Sequence, residues 1–126
     1  MDPLTCAQRF YAAALATDWE TVASLLHPDF TVVESSGLPF AGTYQGLEGL
    51  QTLGAKVYRH FKRFSATPVE FTAGENSVAV LIKAEGIGRQ TGEAFETQIC
   101  EWLHIEAGQI LRITPFYFDE KLINTV

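Results

Sequence analysis

A chain of 126 residues with a formal net charge of −6 has room for one hydrophobic core, and its charge disfavours nucleic acid and anionic membrane as partners. At this length about two-thirds of the unfolded surface is buried on folding, so no disulfide or metal staple is required.

The N-terminal run Met1-Asp2-Pro3-Leu4-Thr5-Cys6 has no basic n-region and no apolar h-region, and no stretch reads as a membrane span. Thr5 and Gln8 form a capping-box pattern, Pro3 suits a helix start, and Ala7, Phe10, Ala14 and Leu15 repeat at helical spacing. Asp18 is a good N-cap for a short second helix with Val22, Leu25 and Leu26 inward, and His27-Pro28 ends it. Phe30 to Glu34 is short and β-branched and reads as a strand. Ser35 to Pro39 is a turn, and Phe40 to Tyr44 returns beside that strand. Gly46 precedes a third helix with the stripe Leu47, Leu50, Gly54, Val57, Tyr58 and Phe61.

From Phe64 onward the period shortens to two. Ser65–Thr72, Val78–Ile87, Phe95–Ile105 and Ile110–Phe118 read as long strands. Their connections are short enough for antiparallel neighbours. Helices followed by a meander predict an α+β fold in a single domain, 1–126. Cys6 and Cys100 show no CxxC or metal-type spacing and read as free thiols of a reducing, cytoplasmic protein.

One residue breaks the pattern. Read at strand period, Phe95, Thr97, Ile99, Glu101, Leu103 and Ile105 share a face. A carboxyl in that row either pairs with Lys83 or Arg112 on a neighbouring strand or lines an interior pocket, because an unpaired buried charge is too costly to leave alone.

Several segments carry a family resemblance: Gln8 to Leu15, Asp18 to Val22, Leu25 to Phe30, Gly37 to Gly46, Trp102 to Ile110 and Pro115 to Asp119. In order and spacing they resemble the nuclear transport factor 2-like superfamily, which includes ketosteroid isomerases, SnoaL-like polyketide cyclases, limonene epoxide hydrolase and scytalone dehydratase. The resemblance implies a cone-shaped, curved antiparallel sheet wrapped on three N-terminal helices. It also implies an apolar pocket, a small hydrophobic ligand and a homodimer. Residue by residue, the isomerases' general base falls on Glu34 and their protonated oxyanion donor on Glu101. Their oxyanion tyrosine falls on Phe10, which has no hydroxyl. Tyr11 is one step, about 100°, around the helix, a poor substitute as donor. Asp119 resembles the base of the SnoaL-like cyclases.

The expectation is a cofactor-free, metal-free pocket for proton transfer in an isomerase, cyclase or dehydratase acting on a small apolar carbonyl or hydroxyl compound. Glu34 acts as base and Glu101 as acid, with Tyr58, Tyr117 or Asp119 orienting. The substrate meets Phe10, Tyr11, Phe30, Leu50, Leu53, Tyr58, Ile99, Phe116 and Tyr117. The competing readings are a strand-end role for Glu34, helix capping for Asp119, and a non-catalytic ligand-binding or dimeric assembly domain on the same scaffold. No Gly-rich phosphate loop, nucleophile elbow or metal-type His spacing is present. Trp102 falls on the outer face if Glu101 points inward and is a candidate dimer contact.

Overall fold

The computed structural model describes residues 1–126. In chain order the elements are α1 (Pro3–Leu15), α2 (Trp19–Leu25), β1 (Leu26–Glu34), β2 (Gly42–Gln45), α3 (Gly46–His60), β3 (Phe61–Ala73), β4 (Ser77–Gly88), β5 (Ala94–Glu106), β6 (Gln109–Tyr117) and α4 (Glu120–Thr125). The predicted α+β architecture is present. The six strands form one sheet in the order β2-β1-β6-β5-β4-β3, curved and covered by helices.

The caps explain the first two helices. Asp2, rather than the Thr5–Gln8 pair, closes α1. Its carboxylate accepts from the Thr5 N–H at 2.9 Å and the Thr5 hydroxyl at 3.0 Å. Asp18 caps α2 as expected, accepting from the Thr21 N–H at 3.2 Å and hydroxyl at 2.6 Å.

The sheet is antiparallel except at one pairing: β1 runs parallel to β6, with Val32 beside Ile113. That register ends two residues before Pro115, which has no N–H to donate. β2 and β3 are consecutive in the chain yet lie on opposite edges of the sheet, and α3 joins them. Bulges interrupt the β3–β4 register between Phe61 and Arg63 and again between Pro68 and Glu70, bending the long strands. Gly86 allows that close approach: a β-carbon there would lie 2.0 Å from the Arg63 carbonyl oxygen.

The core is built on Phe30, Phe61, Leu103, Ile110 and Ile123, all fully buried. Phe61 stacks on Phe64 at 4.9 Å and lies 5.1 Å from Phe95. Only Leu53 of α3 is buried. Leu47, Leu50 and Val57 pack against the core only in part, because Leu50 and Val57 also border a hollow beneath the helix. α4 closes the chain against the β4–β5 turn, where the Gln90 and Thr91 N–H groups donate to the Val126 carbonyl oxygen at 2.8 and 3.0 Å. His60 is tied in as well, its Nε2 lying 2.7 Å from the Ile123 carbonyl oxygen.

Candidate functional site

A cavity of about 270 Å³ lies between α1, α3 and the inner face of the sheet. Strand alternation selects what faces it. On β5 the buried row is Phe95, Thr97, Ile99, Leu103 and Ile105, with Glu101 among them. On β1 it is Phe30, Val32 and Glu34, and on β6 Ile113 and Pro115 are buried with Tyr117 half-buried on the same face. Pro115 stands opposite Glu101. Glu34 lies two residues beyond the Val32–Ile113 pairing, so the two carboxyls flank the Pro115 row. Ile99 stands opposite Tyr117, and both line the cavity with the two glutamates.

The carboxyls differ in their partners. The Tyr11 hydroxyl donates a hydrogen bond to Glu101 Oε1. The Tyr11 ring is held edge-on by Phe10 at 5.1 Å and Phe71 at 5.8 Å. Glu34 is only 5% exposed, and its Oε1 has no hydrogen-bond partner at all. Burial, then the charge of Glu101, then that of Glu120, pushes the Glu34 carboxyl up to about 8. Burial also raises Glu101, but the Tyr11 hydrogen bond opposes the rise by stabilising the carboxylate. The Tyr11 phenol is held well above its usual range by burial and by Glu101. Tyr117 is raised too, by burial first and then by Glu34, Glu101 and Glu120. Both phenols therefore remain protonated donors at neutral pH.

The alternative reading of Glu101, an ion pair with Lys83 or Arg112, is not what the structure holds. Lys83 lies instead on the outer face, 3.8 Å from Glu85 and 3.3 Å from Glu96. Of the residues singled out from sequence, Phe10, Tyr11, Leu50, Leu53, Tyr58, Ile99 and Tyr117 border the cavity along with Glu34 and Glu101. Three do not. Phe30 is fully buried in the core. Phe116 is 59% exposed, because its neighbours Pro115 and Tyr117 take the inward positions of β6. Asp119 is exposed and caps α4, accepting from the Leu122 N–H at 3.0 Å.

Tyr11 is the residue whose reach the helical-phase argument undervalued. Phe10 is packed down at 3% exposure, and its neighbour's longer side chain supplies the hydroxyl. Trp19, Leu15 and Phe64 also border the opening. Leu15 is largely exposed and Trp19 partly so, and neither was singled out from the sequence as a cavity residue, since only the tertiary packing of α1 against α2 turns them to the cavity.

A model of the SnoaL-like domain matches residues 7–113. The chain belongs to the SnoaL-like domain family. No curated protein matches it. Among solved structures, an NTF2-like protein from Burkholderia thailandensis is similar at 21% identity with a TM-score of 0.87, over 98% of this chain and 95% of that one. TerC, co-crystallised with polyporic acid, is 22% identical with a TM-score of 0.76, over 90% of this chain and 88% of that one. A ketosteroid isomerase-like protein from Catenulispora acidiphila, in complex with trimethylamine, is 15% identical with a TM-score of 0.74, over 98% of this chain and 93% of that one. At these identities the neighbours define the SnoaL-like fold and leave the chemistry to the residues of this chain. No helix is long and apolar enough to cross a membrane.

Proposed function

We propose that the cavity performs acid–base proton transfer on a small, apolar, enolisable carbonyl compound. The observation that carries this reading is the unequal pair of carboxyls in one apolar hollow: Glu101 accepts the Tyr11 hydrogen bond and Glu34 has an unpartnered oxygen. Unequal environments separate the pKa values of two like groups and so divide the labour of acid and base. Glu101 ionises first, because its carboxylate has a donor and its charge is one cause of the rise in Glu34. Once ionised, ahead of Glu34, Glu101 acts as the base that takes a proton α to the carbonyl. Glu34 remains protonated and donates to the oxygen as charge develops there. Tyr117 stands beside both and orients that oxygen. This proposal reverses the roles expected from the sequence, and the Tyr11 hydrogen bond to Glu101 supports the exchange.

The test is deuterium uptake by 2-tetralone in D₂O, followed by proton NMR. The protein is expected to accelerate exchange α to the carbonyl. Glu101→Gln should lower the rate by about 10²-fold or more, the scale of a positioned acid–base group. Tyr11→Phe should shift the acidic limb of the pH–rate profile upward, since Glu101 loses the bond that stabilises its charge. No exchange above buffer at saturating ketone would refute the proposal.

A second reading concerns the opposite side of the sheet. Trp102, Phe116 and Phe118 are 47%, 59% and 82% exposed. Trp102 and Phe116 share the outward-facing surface of β5 and β6, with Cys100 opposite Phe116 in register. We infer that this surface meets a second copy of the chain, since large exposed aromatic patches invite partners. Sedimentation equilibrium should give twice the chain mass, and Trp102→Glu should return it to the monomer. A monomeric wild type at about 0.1 mM, well above the Kd of a standard interface, would exclude the dimer.

A further inference from the structure

The chain has nine lysines and arginines, yet no lysine, arginine or histidine lines the cavity. Lys56 and Arg59 lie in a separate depression with Pro39, Phe40 and His60. Inside the cavity the polar side chains are two carboxyls, the phenols of Tyr11, Tyr58 and Tyr117, and the Trp19 indole N–H. The Tyr11 hydroxyl is committed to Glu101, and Glu34 Oε1 is buried with nothing to bond. Around them stand the rings of Phe10, Trp19, Tyr58 and Phe64. A carboxylate in a low-dielectric hollow with one donor is under-solvated. A neutral carbonyl ligand brings an acceptor, which serves a protonated Glu34 and leaves the charge of Glu101 uncompensated. A cation brings charge and N–H donors together, and the negative faces of aromatic rings attract it further.

We propose that the cavity selects a small protonated amine with an apolar body, its nitrogen between Glu34 and Glu101 and its hydrocarbon part against the rings. A cavity of about 270 Å³ accommodates roughly ten non-hydrogen atoms at protein packing density. The selectivity concerns binding and stands whether or not the glutamates turn a substrate over. It carries a linked protonation. Glu34 faces Glu101 on β5, Tyr117 on β6 and Glu120 on α4, and Tyr11 on α1 faces Glu101. None of these is a cation. An arriving ammonium is therefore the one positive charge near Glu34, and its entry favours the carboxylate and expels a proton.

Isothermal titration with three matched probes tests this: 2-phenylethylamine, 2-phenylethanol and phenylacetate, each near pH 7.5 in two buffers of different ionisation enthalpy. The amine is expected to bind at least about tenfold tighter than the alcohol, a difference of about 1.4 kcal/mol. Phenylacetate should not bind, and the amine's heat should report proton release through its dependence on buffer. In Glu101→Gln and, separately, Glu34→Gln, each checked for native near-UV dichroism, the amine-to-alcohol affinity ratio should fall about tenfold. Alcohol binding equal to that of the amine, measurable phenylacetate binding, no binding by any probe, proton uptake, or an unchanged ratio in both variants would overturn the proposal. Failure of proton transfer would appear in the deuterium exchange of 2-tetralone and would leave this ratio untouched.

Discussion

Replacing Glu34 with glutamine is expected to stabilise the protein markedly at alkaline pH and hardly at all in mild acid. The folded state holds the Glu34 carboxyl at about 8, against 4.5 for the unperturbed group. Below the unfolded value both states carry the proton, and the contribution to stability is fully present. As pH rises from about 4.5 to 8, the unfolded chain gives up its proton and the folded chain does not. Stability is lost across that window and levels off above it. The difference corresponds to on the order of 4–5 kcal/mol, a large fraction of the 5–15 kcal/mol typical of a domain. Glutamine has no proton to lose, so the loss disappears with the carboxyl. Urea unfolding of both proteins at about pH 5 and about pH 9 isolates this residue, because the slope contributed by Glu101 is common to both. Parallel stability curves for wild type and variant across that range would mean that Glu34 is not a buried proton carrier, and the acid assigned to the cavity would fall with it.

Phe61→Ala is expected to cost about 3–5 kcal/mol, the usual scale for deleting a fully buried aromatic ring. Phe61 is the first residue of β3, immediately after α3 ends. Its ring is in contact with His60 at 4.8 Å, Phe64 at 4.9 Å and Phe95 at 5.1 Å, so one truncation opens a void where helix, strand and neighbouring sheet converge. The damage should extend to function, because Phe64 leaves its stacked position and also borders the cavity. Val57→Ala on α3, a residue only partly buried, provides the contrast and should cost about 1 kcal/mol or less. A Phe61→Ala variant with a urea midpoint within error of wild type would show that this cluster is not the keystone its burial implies.

What the sequence disclosed and what it withheld follow from the range of each signal. Strand alternation is local and strict, so Glu101 could be placed on the inner face from its own row alone. The same rule, applied one element later, would have turned Phe116 outward, since Ile113 and Pro115 fix the phase of β6. The resemblance carried Glu34 to the end of β1, and burial there supplied the reason it matters. Tyr11 was harder to read. A helix presents a face wide enough to take two adjacent positions, and which of Phe10 and Tyr11 reaches a carboxyl ninety residues away in the chain depends on tertiary packing. The parallel pairing of β1 with β6 was likewise invisible, because it joins segments separated by most of the chain. Asp119 has two legible roles in sequence, and a helix beginning immediately after it chose the cap.

The partial burial of α3 has a consequence for how this scaffold can change its ligand. Leu53 is the buried residue of that helix and Leu47, Leu50 and Val57 pack partly against the core, but Leu50, Gly54 and Val57 also border the cavity, and a β-carbon at Gly54 would meet nothing within 4 Å. A side chain at Gly54 can grow into the cavity without a clash, so ligand preference can change there while the six-stranded sheet behind it keeps its shape. Evolvability resides in that one wall.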